Sequence, residues 1–155
     1  MSTRVRSWMS APAITVSPDT PIRKAYRIMR ERGIRHLPVM DGERLAGIVG
    51  DRDVRLHLPP PGMGRLSLAA ASLLSTRTVA EAMVPAVTIG PDQHADEAAE
   101  LMLASRTGAV AVVEDGRLVG IVTTTDLLGA WVGDRGDGRA AAGDAAAPYG
   151  AHERA

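Results

Sequence analysis

The chain has 155 residues, 18 of them basic and 18 acidic, and a formal net charge of zero, so it carries no electrostatic footprint for nucleic acid or an anionic membrane. Cys and Phe are absent and aromatic residues make up 3%, which excludes disulfides, thiolate chemistry and Cys-based zinc sites, argues against a base-stacking surface, and leaves Val, Ile, Leu, Met and Ala to build the core. No run approaches the ~18 apolar residues of a transmembrane helix and the first nine residues lack a secretory apolar stretch, so a cytoplasmic α/β protein is expected.

In chain order, a short strand at 14–16 runs into Pro18-Asp19, a turn in which Pro fixes φ and Asp accepts local backbone bonds. Thr20 reads as an N-cap and Pro21 as the first helical residue. Ile22, Ala25, Tyr26 and Met29 follow at helical spacing, with the Met residue as core filler, and Gly33 stops the helix. Apolar runs at 37–40 and 45–49 flank Asp41-Gly42-Glu43-Arg44, a hairpin signal, and a second helix begins near Asp51. The segment 57–64 is a Pro-rich break; its Gly62-x-Gly64 follows no strand, which argues against a phosphate loop, and 66–74 is suited to a connecting helix. Thr78-Val-Ala-Glu81 is a capping box that opens a short helix ending at Met83. The pattern then recurs as a strand at 87–89, a helix through Ala95, Ala98, Ala99 and Met102, and apolar runs at 109–113 and 118–122 around Glu114-Asp115-Gly116-Arg117. A last helix begins near Thr124. Beyond it, Gly, Ala and Asp dominate to Ala155, a composition that predicts a disordered tail; Asp134 to Asp137 lack the Glu and flanking helices of a calcium loop.

The recurrence is an internal repeat. Sliding the chain by 73 residues sets 12–53 on 85–126 without a gap, and 14 of the 42 positions are identical, including Gly47-Ile48-Val49 over Gly120-Ile121-Val122 and Asp53 over Asp126. One inserted residue extends the register to Val5/Val79 and Met9/Met83. Each copy reads β-α-β-β-α. The expected organisation is repeat one at 4–58, a partly helical linker at 59–77, repeat two at 78–132 and a tail at 133–155.

These residues resemble the tandem CBS-domain (cystathionine β-synthase domain) pair, or Bateman module. The likeness covers roughly 4–131 and rests on the repeat order, on Gly-Ile-Arg-His-Leu-Pro-Val at 33–39, on Asp-Gly-x-Arg-Leu-x-Gly-Ile-Val, and on Gly-Ile-Val-Thr-x-x-Asp at 120–126. Within the family the chain looks most like small acetoin-utilisation-type pairs. The resemblance implies a pseudo-two-fold α+β pair with two clefts between the repeats that take adenosine-bearing ligands, such as AMP, ADP, ATP or S-adenosylmethionine. In such a cleft the Asp of Thr-x-x-Asp accepts bonds from a ribose diol, and the Thr lies at a positive helix end suited to phosphate.

Carried over residue by residue, the favoured cleft takes Ile14, Ile34, Arg35, His36 and Pro38 from copy one and Ile121, Thr123 and Asp126 from copy two. The weaker cleft takes Val87, Thr107, Gly108 and Ala109 with Ile48 and Asp53; it lacks a hydroxyl because Gly50 stands opposite Thr123, and cations because Gly108-Ala109 stand opposite Arg35-His36. The bland alternatives are that Asp53, Asp126 and Thr123 cap helices and that Arg35 and His36 are solvated. His57, His94 and His152 lack metal-ligand spacing, and Asp51, Asp53 and His36 offer too few oxygens for a hard metal. No nucleophile elbow or paired-carboxylate site stands out, so no catalysis, cofactor or metal is expected. The leading reading is a regulatory module that senses an adenosyl small molecule and signals to an unidentified protein partner; the alternative is a structural dimerisation module with decayed clefts. The Ala-rich helix surface at 95–104 predicts a homodimer burying more than ~1,000 Å².

Overall fold

The computed structural model describes residues 4–58 and 76–133, so the connecting helix expected at 66–74, Gly62-x-Gly64 and the Gly/Ala-rich tail lie outside the described residues. Copy one comprises helix α1 (Ile22–Arg32), strands β1 (His36–Asp41) and β2 (Arg44–Gly50), and helix α2 (Asp51–Leu56). Copy two comprises β3 (Thr88–Ile89), α3 (Ala95–Ser105), β4 (Ala109–Glu114), β5 (Arg117–Thr123) and α4 (Thr124–Gly133). Single 3₁₀ turns at Val5–Ser7 and Val79–Glu81 precede the copies. The architecture is mixed α+β: β1 and β2 pair antiparallel, and β3-β4-β5 form a sheet with β3 parallel to β4.

Local chemistry accounts for these elements. In α1, Ile22, Ala25 and Met29 are buried, as their spacing predicts, and the helix ends at Gly33 with φ +64°, where its N–H bonds the Met29 carbonyl. Arg30 and Arg32 lie in the last turn, where the helix dipole favours cations. The Glu97 carboxylate accepts the His94 N–H at 3.1 Å and so caps α3. Both hairpins carry the same register shift, between Val39 and Met40 and between Val112 and Val113, so the repeat extends to an irregularity of the ladder.

Three expectations change. The strand at 14–16 is reduced to one parallel bridge, Val16 to Val39, whereas its counterpart forms β3. Thr20 does not cap α1: Pro21 stands at the cap, and the Thr20 hydroxyl accepts the Ser17 N–H at 3.0 Å, closing a turn of its own. The Ala-rich surface of α3 is divided: Ala98 is fully buried in copy two's core, Ala95 and Ala99 are half-buried, and Ala104 is exposed.

The copies exchange their leading segments. Val5 is buried with Ile89, Ala98, Met102, Val110, Val112 and Val122, the core of copy two. Val79 and Ala82 are buried with Ile22, Ala25, Met29, Leu37, Val39, Val49 and Val54, the core of copy one. The crossing is fastened by backbone bridges, Ser10 to Ile121 on β5 and Val84 to Ile48 on β2. A Cβ at Gly47 would stand 2.6 Å from the Val84 carbonyl oxygen, and one at Gly120 2.8 Å from that of Ser10. Both copies therefore hold Gly where the other copy's leading segment passes over the strand. Arg6 ties the N-terminal segment to copy two through Asp92 at 2.8 Å and Glu114 at 3.2 Å, exposed pairs that water and salt screen.

Candidate functional site

The crossing segments define two clefts. Residues 10–16 run from β5 of copy two, where Ser10 bonds Ile121, to β1 of copy one, where Val16 bonds the Pro38 carbonyl at 3.1 Å. Residues 84–89 make the converse span, from Ile48 on β2 to Ala111 on β4, whose N–H bonds the Val87 carbonyl at 2.9 Å. Each span thus bridges the end of one copy's second hairpin strand, with the helix start that follows it, and the first hairpin strand of the other copy. Ile14, 37% exposed, lies on the first span and half-buried Val87 on the second.

At the helix start beside the first span, Thr123 and Asp126 are half-buried and joined to each other. Asp126 Oδ2 accepts the Thr123 N–H and the Thr123 hydroxyl, each at 2.7 Å, and Thr123 Oγ1 accepts the Asp126 N–H at 3.3 Å. At the equivalent start of α2, Asp53 Oδ2 accepts only the Gly50 N–H, at 3.1 Å. Both aspartates therefore cap their own helices. A carboxylate has about four lone-pair sites, so Asp126 keeps acceptor capacity beyond its two cap bonds.

The other predicted residues divide. Ile48, Ala109 and Ile121, assigned to walls of different clefts, form one buried cluster between the copies, with Ala13 and Ala86 packed against it. Pro38 is also buried, so its side chain offers a ligand almost no surface. Ile34 packs on copy one's core and, with Arg35, lines a hollow of about 210 Å³ between α1 and α2 that also takes in Tyr26, Asp51 and Arg55. A hollow of about 320 Å³ opens beside Thr15, Ser17, Thr20 and Lys24. Neither hollow includes Thr123 or Asp126. Thr107 closes a turn of its own, its hydroxyl donating to the Ala109 carbonyl at 3.1 Å.

His36 and Arg35 do not share a cleft, because successive side chains entering a strand leave on different sides. The His36 ring lies against Gly50 of its own hairpin and against Gly108 of copy two. Burial pushes its pKa below the ordinary 6.5, the Arg35 charge adds to this, and the Asp51 and Asp53 carboxylates oppose it. Asp51 is paired with Arg55 at 3.2 Å, and the Asp53 carbonyl is 2.9 Å from His57 Nδ1. Among the described residues no group of three His, Asp or Glu side chains is placed to hold a metal ion.

Comparison with known proteins agrees with the repeat. The CBS-domain family model matches twice, over 5–59 and 79–133. An inosine-5'-monophosphate dehydrogenase of Korarchaeum cryptofilum is 34% identical over 126 residues, which is 81% of this chain but 24% of that enzyme, so the likeness spans about a quarter of the relative. A CBS domain-containing protein of Dictyostelium discoideum is 34% identical over 83% of this chain and 90% of its own length. Among solved structures, a CBS domain pair in complex with 5'-methylthioadenosine and S-adenosyl-L-methionine superposes with a TM-score of 0.71, at 28% identity, covering 86% of this chain and 99% of that one. The protein CBSX2 in complex with AMP gives 0.68 at 25% identity, over 85% and 95% of the two chains. The acetoin utilization protein AcuB of Vibrio cholerae shares the fold, with a TM-score of 0.70 at 24% identity over 87% and 94%. With two copies of one unit, their leading segments exchanged and both copies matched by the same model, this chain belongs to the CBS-domain family.

Proposed function

We propose that the chain is a regulatory, non-catalytic module that binds an adenosine-containing ligand in the cleft bounded by residues 10–16 and by Thr123 and Asp126, and passes the resulting change to a protein partner. The observation that carries this reading is the half-buried Thr123–Asp126 pair at the start of α4, beside the segment that joins the copies. A carboxylate there suits a ribose diol, and the first turn of α4 suits phosphate. Related pairs crystallised with S-adenosyl-L-methionine, 5'-methylthioadenosine and AMP support the ligand class. Calorimetric titration with AMP, ADP, ATP, S-adenosylmethionine and NADH tests it, and no heat from any of them at millimolar concentration overturns it.

A structural module with decayed clefts is the second reading. It is favoured by the cap bonds of both aspartates and by the closed Ile48–Ala109–Ile121 cluster. We also propose a homodimer. Its support is the apolar surface of α4, where Leu128, Trp131 and Val132 are 55–65% exposed at i, i+3 and i+4, with Leu56 of α2 77% exposed. We propose a cytoplasmic placement; no helix among the described residues is long and apolar enough to cross a membrane.

A further inference from the structure

The two copies differ in a coordinated way at three positions. Copy one has His36 and Gly50 where copy two has Ala109 and Thr123, and copy two has Gly108 where copy one has Arg35. Backbone conformation requires neither glycine: Gly50 is extended at φ −100°, and Gly108 lies outside the left-handed region. Space beside the His36 ring is tight at Gly108 and limited at Gly50. A Cβ at Gly108 would stand 3.2 Å from His36 Cε1 and 3.4 Å from Nε2, tight enough to displace the ring. A Cβ at Gly50 would meet His36 Cδ2 at 3.5 Å, an ordinary contact, and Asp53 Oδ2 at 3.1 Å; the methyl and hydroxyl of a threonine would need room beyond that Cβ, beside the ring.

We propose that the His36 imidazole is a built-in occupant of the second cleft, filling the space that a residue-50 hydroxyl and a residue-108 side chain would take, so that each chain binds one ligand rather than two. The ring sits between the start of β4 and the start of α2, the two walls of the cleft that contains Asp53. Its counterpart Ala109 puts no ring beside Thr123 and Asp126. Gly50 and Gly108 are then the complement of His36, and the second cleft is closed by a side chain instead of being worn away by loss of function. The carboxylate left there is unfavourable to phosphate: Asp53 lies beside a ring whose charged form burial disfavours, and Asp51 is already paired with Arg55. Only the ligand count rests on the adenosyl reading above; the packing stands without it.

The test therefore has two arms. Gly108→Ala is made alone and together with His36→Ala, and melting is measured without ligand. The expected result is a drop of roughly 3–8 °C for Gly108→Ala alone that largely disappears when His36 is also replaced. Equal drops in both backgrounds overturn the packing. In the second arm, S-adenosylmethionine and AMP are titrated calorimetrically into wild type and into His36→Ala/Gly50→Thr, which gives positions 36 and 50 the residue types of their counterparts Ala109 and Thr123. One site per chain is expected to become two. Two sites in wild type, or an unchanged count in the double variant, overturns the proposal. A wild type with no site and a variant with one upholds the plug and defeats the favoured-cleft reading instead.

Discussion

Asp126→Ala distinguishes two jobs of one carboxylate. Asp126 Oδ2 accepts two bonds of 2.7 Å, one from the Thr123 N–H and one from the Thr123 hydroxyl, whereas Asp53 Oδ2 accepts one of 3.1 Å from the Gly50 N–H. An N-terminal cap contributes about 0.5–2 kcal/mol, and the charged acceptor with two short bonds places Asp126 near the top of that range and Asp53 near the middle. Both residues are half-buried, so water reaches the freed donors and no larger cost is expected. At roughly 2–4 °C per kcal/mol, Asp126→Ala should lower the ligand-free melting temperature by about 4–8 °C and Asp53→Ala by about 2–4 °C. If Asp126 also accepts two bonds from a ribose diol, its loss should weaken adenosyl-ligand binding on the order of 100-fold, since 1.4 kcal/mol is tenfold. Asp53→Ala should leave that affinity within about threefold of wild type. Scanning calorimetry and titration calorimetry on the same three preparations read both effects. A melting loss with unchanged affinity refutes the ligand role of Asp126. Equal affinity losses from both variants refute the inequality of the clefts, and an unaltered melting temperature for Asp126→Ala refutes the cap.

Gly47→Ala and Gly120→Ala should each cost about 3 kcal/mol or more by chemical denaturation, because the new methyl meets backbone carbonyls at 2.6 and 2.8 Å that no rotamer change can relieve. Gly129→Ala, with open space around its Cβ position in α4, should instead gain roughly 0.5–1 kcal/mol. Val5→Ala should cost about 2 kcal/mol and speed hydrogen exchange in β4 and β5 of copy two more than in β1 and β2, since Val5 is buried in copy two's core; the reverse pattern would contradict the exchange of leading segments. Folding holds the His36 pKa below its unfolded value near 6.5, so the unfolded chain binds the proton first. Stability is therefore whole above that value, falls as pH drops through it toward the folded pKa, and should lose this slope in His36→Ala, as melting scans between about pH 7.5 and 5 would show. Leu128→Asp should convert the proposed dimer to monomer in light scattering at tens of micromolar while leaving the melting temperature nearly unchanged, because Leu128 is 55% exposed. A monomeric wild type would refute the dimer.

The sequence by itself determined the repeat, the family, both hairpins and the helices of each copy. These are encoded by local periodicity and turn chemistry: Ile22, Ala25 and Met29 can bury one stripe only as a helix, and Asp41-Gly42-Glu43-Arg44 between apolar runs can hardly be anything but a turn. The pairing of Thr123 with Asp126 was also legible, because a three-residue spacing at a helix start needs no distant partner. Tertiary structure decided everything that depends on the other copy. The leading segments exchange cores because Val5 and Val79 find their apolar partners across the crossing, which no local pattern reports. Ile48, Ala109 and Ile121 look like walls of two clefts along the chain, yet meet as one cluster where the sheets approach. Arg35 and His36 are neighbours in sequence, but side-chain direction at the strand entry sends one to the hollow beside α1 and the other against Gly108, 72 positions along the chain. A Cβ at Gly108 would meet the His36 ring at 3.2 Å, a constraint of volume that no signal near His36 in the sequence reports.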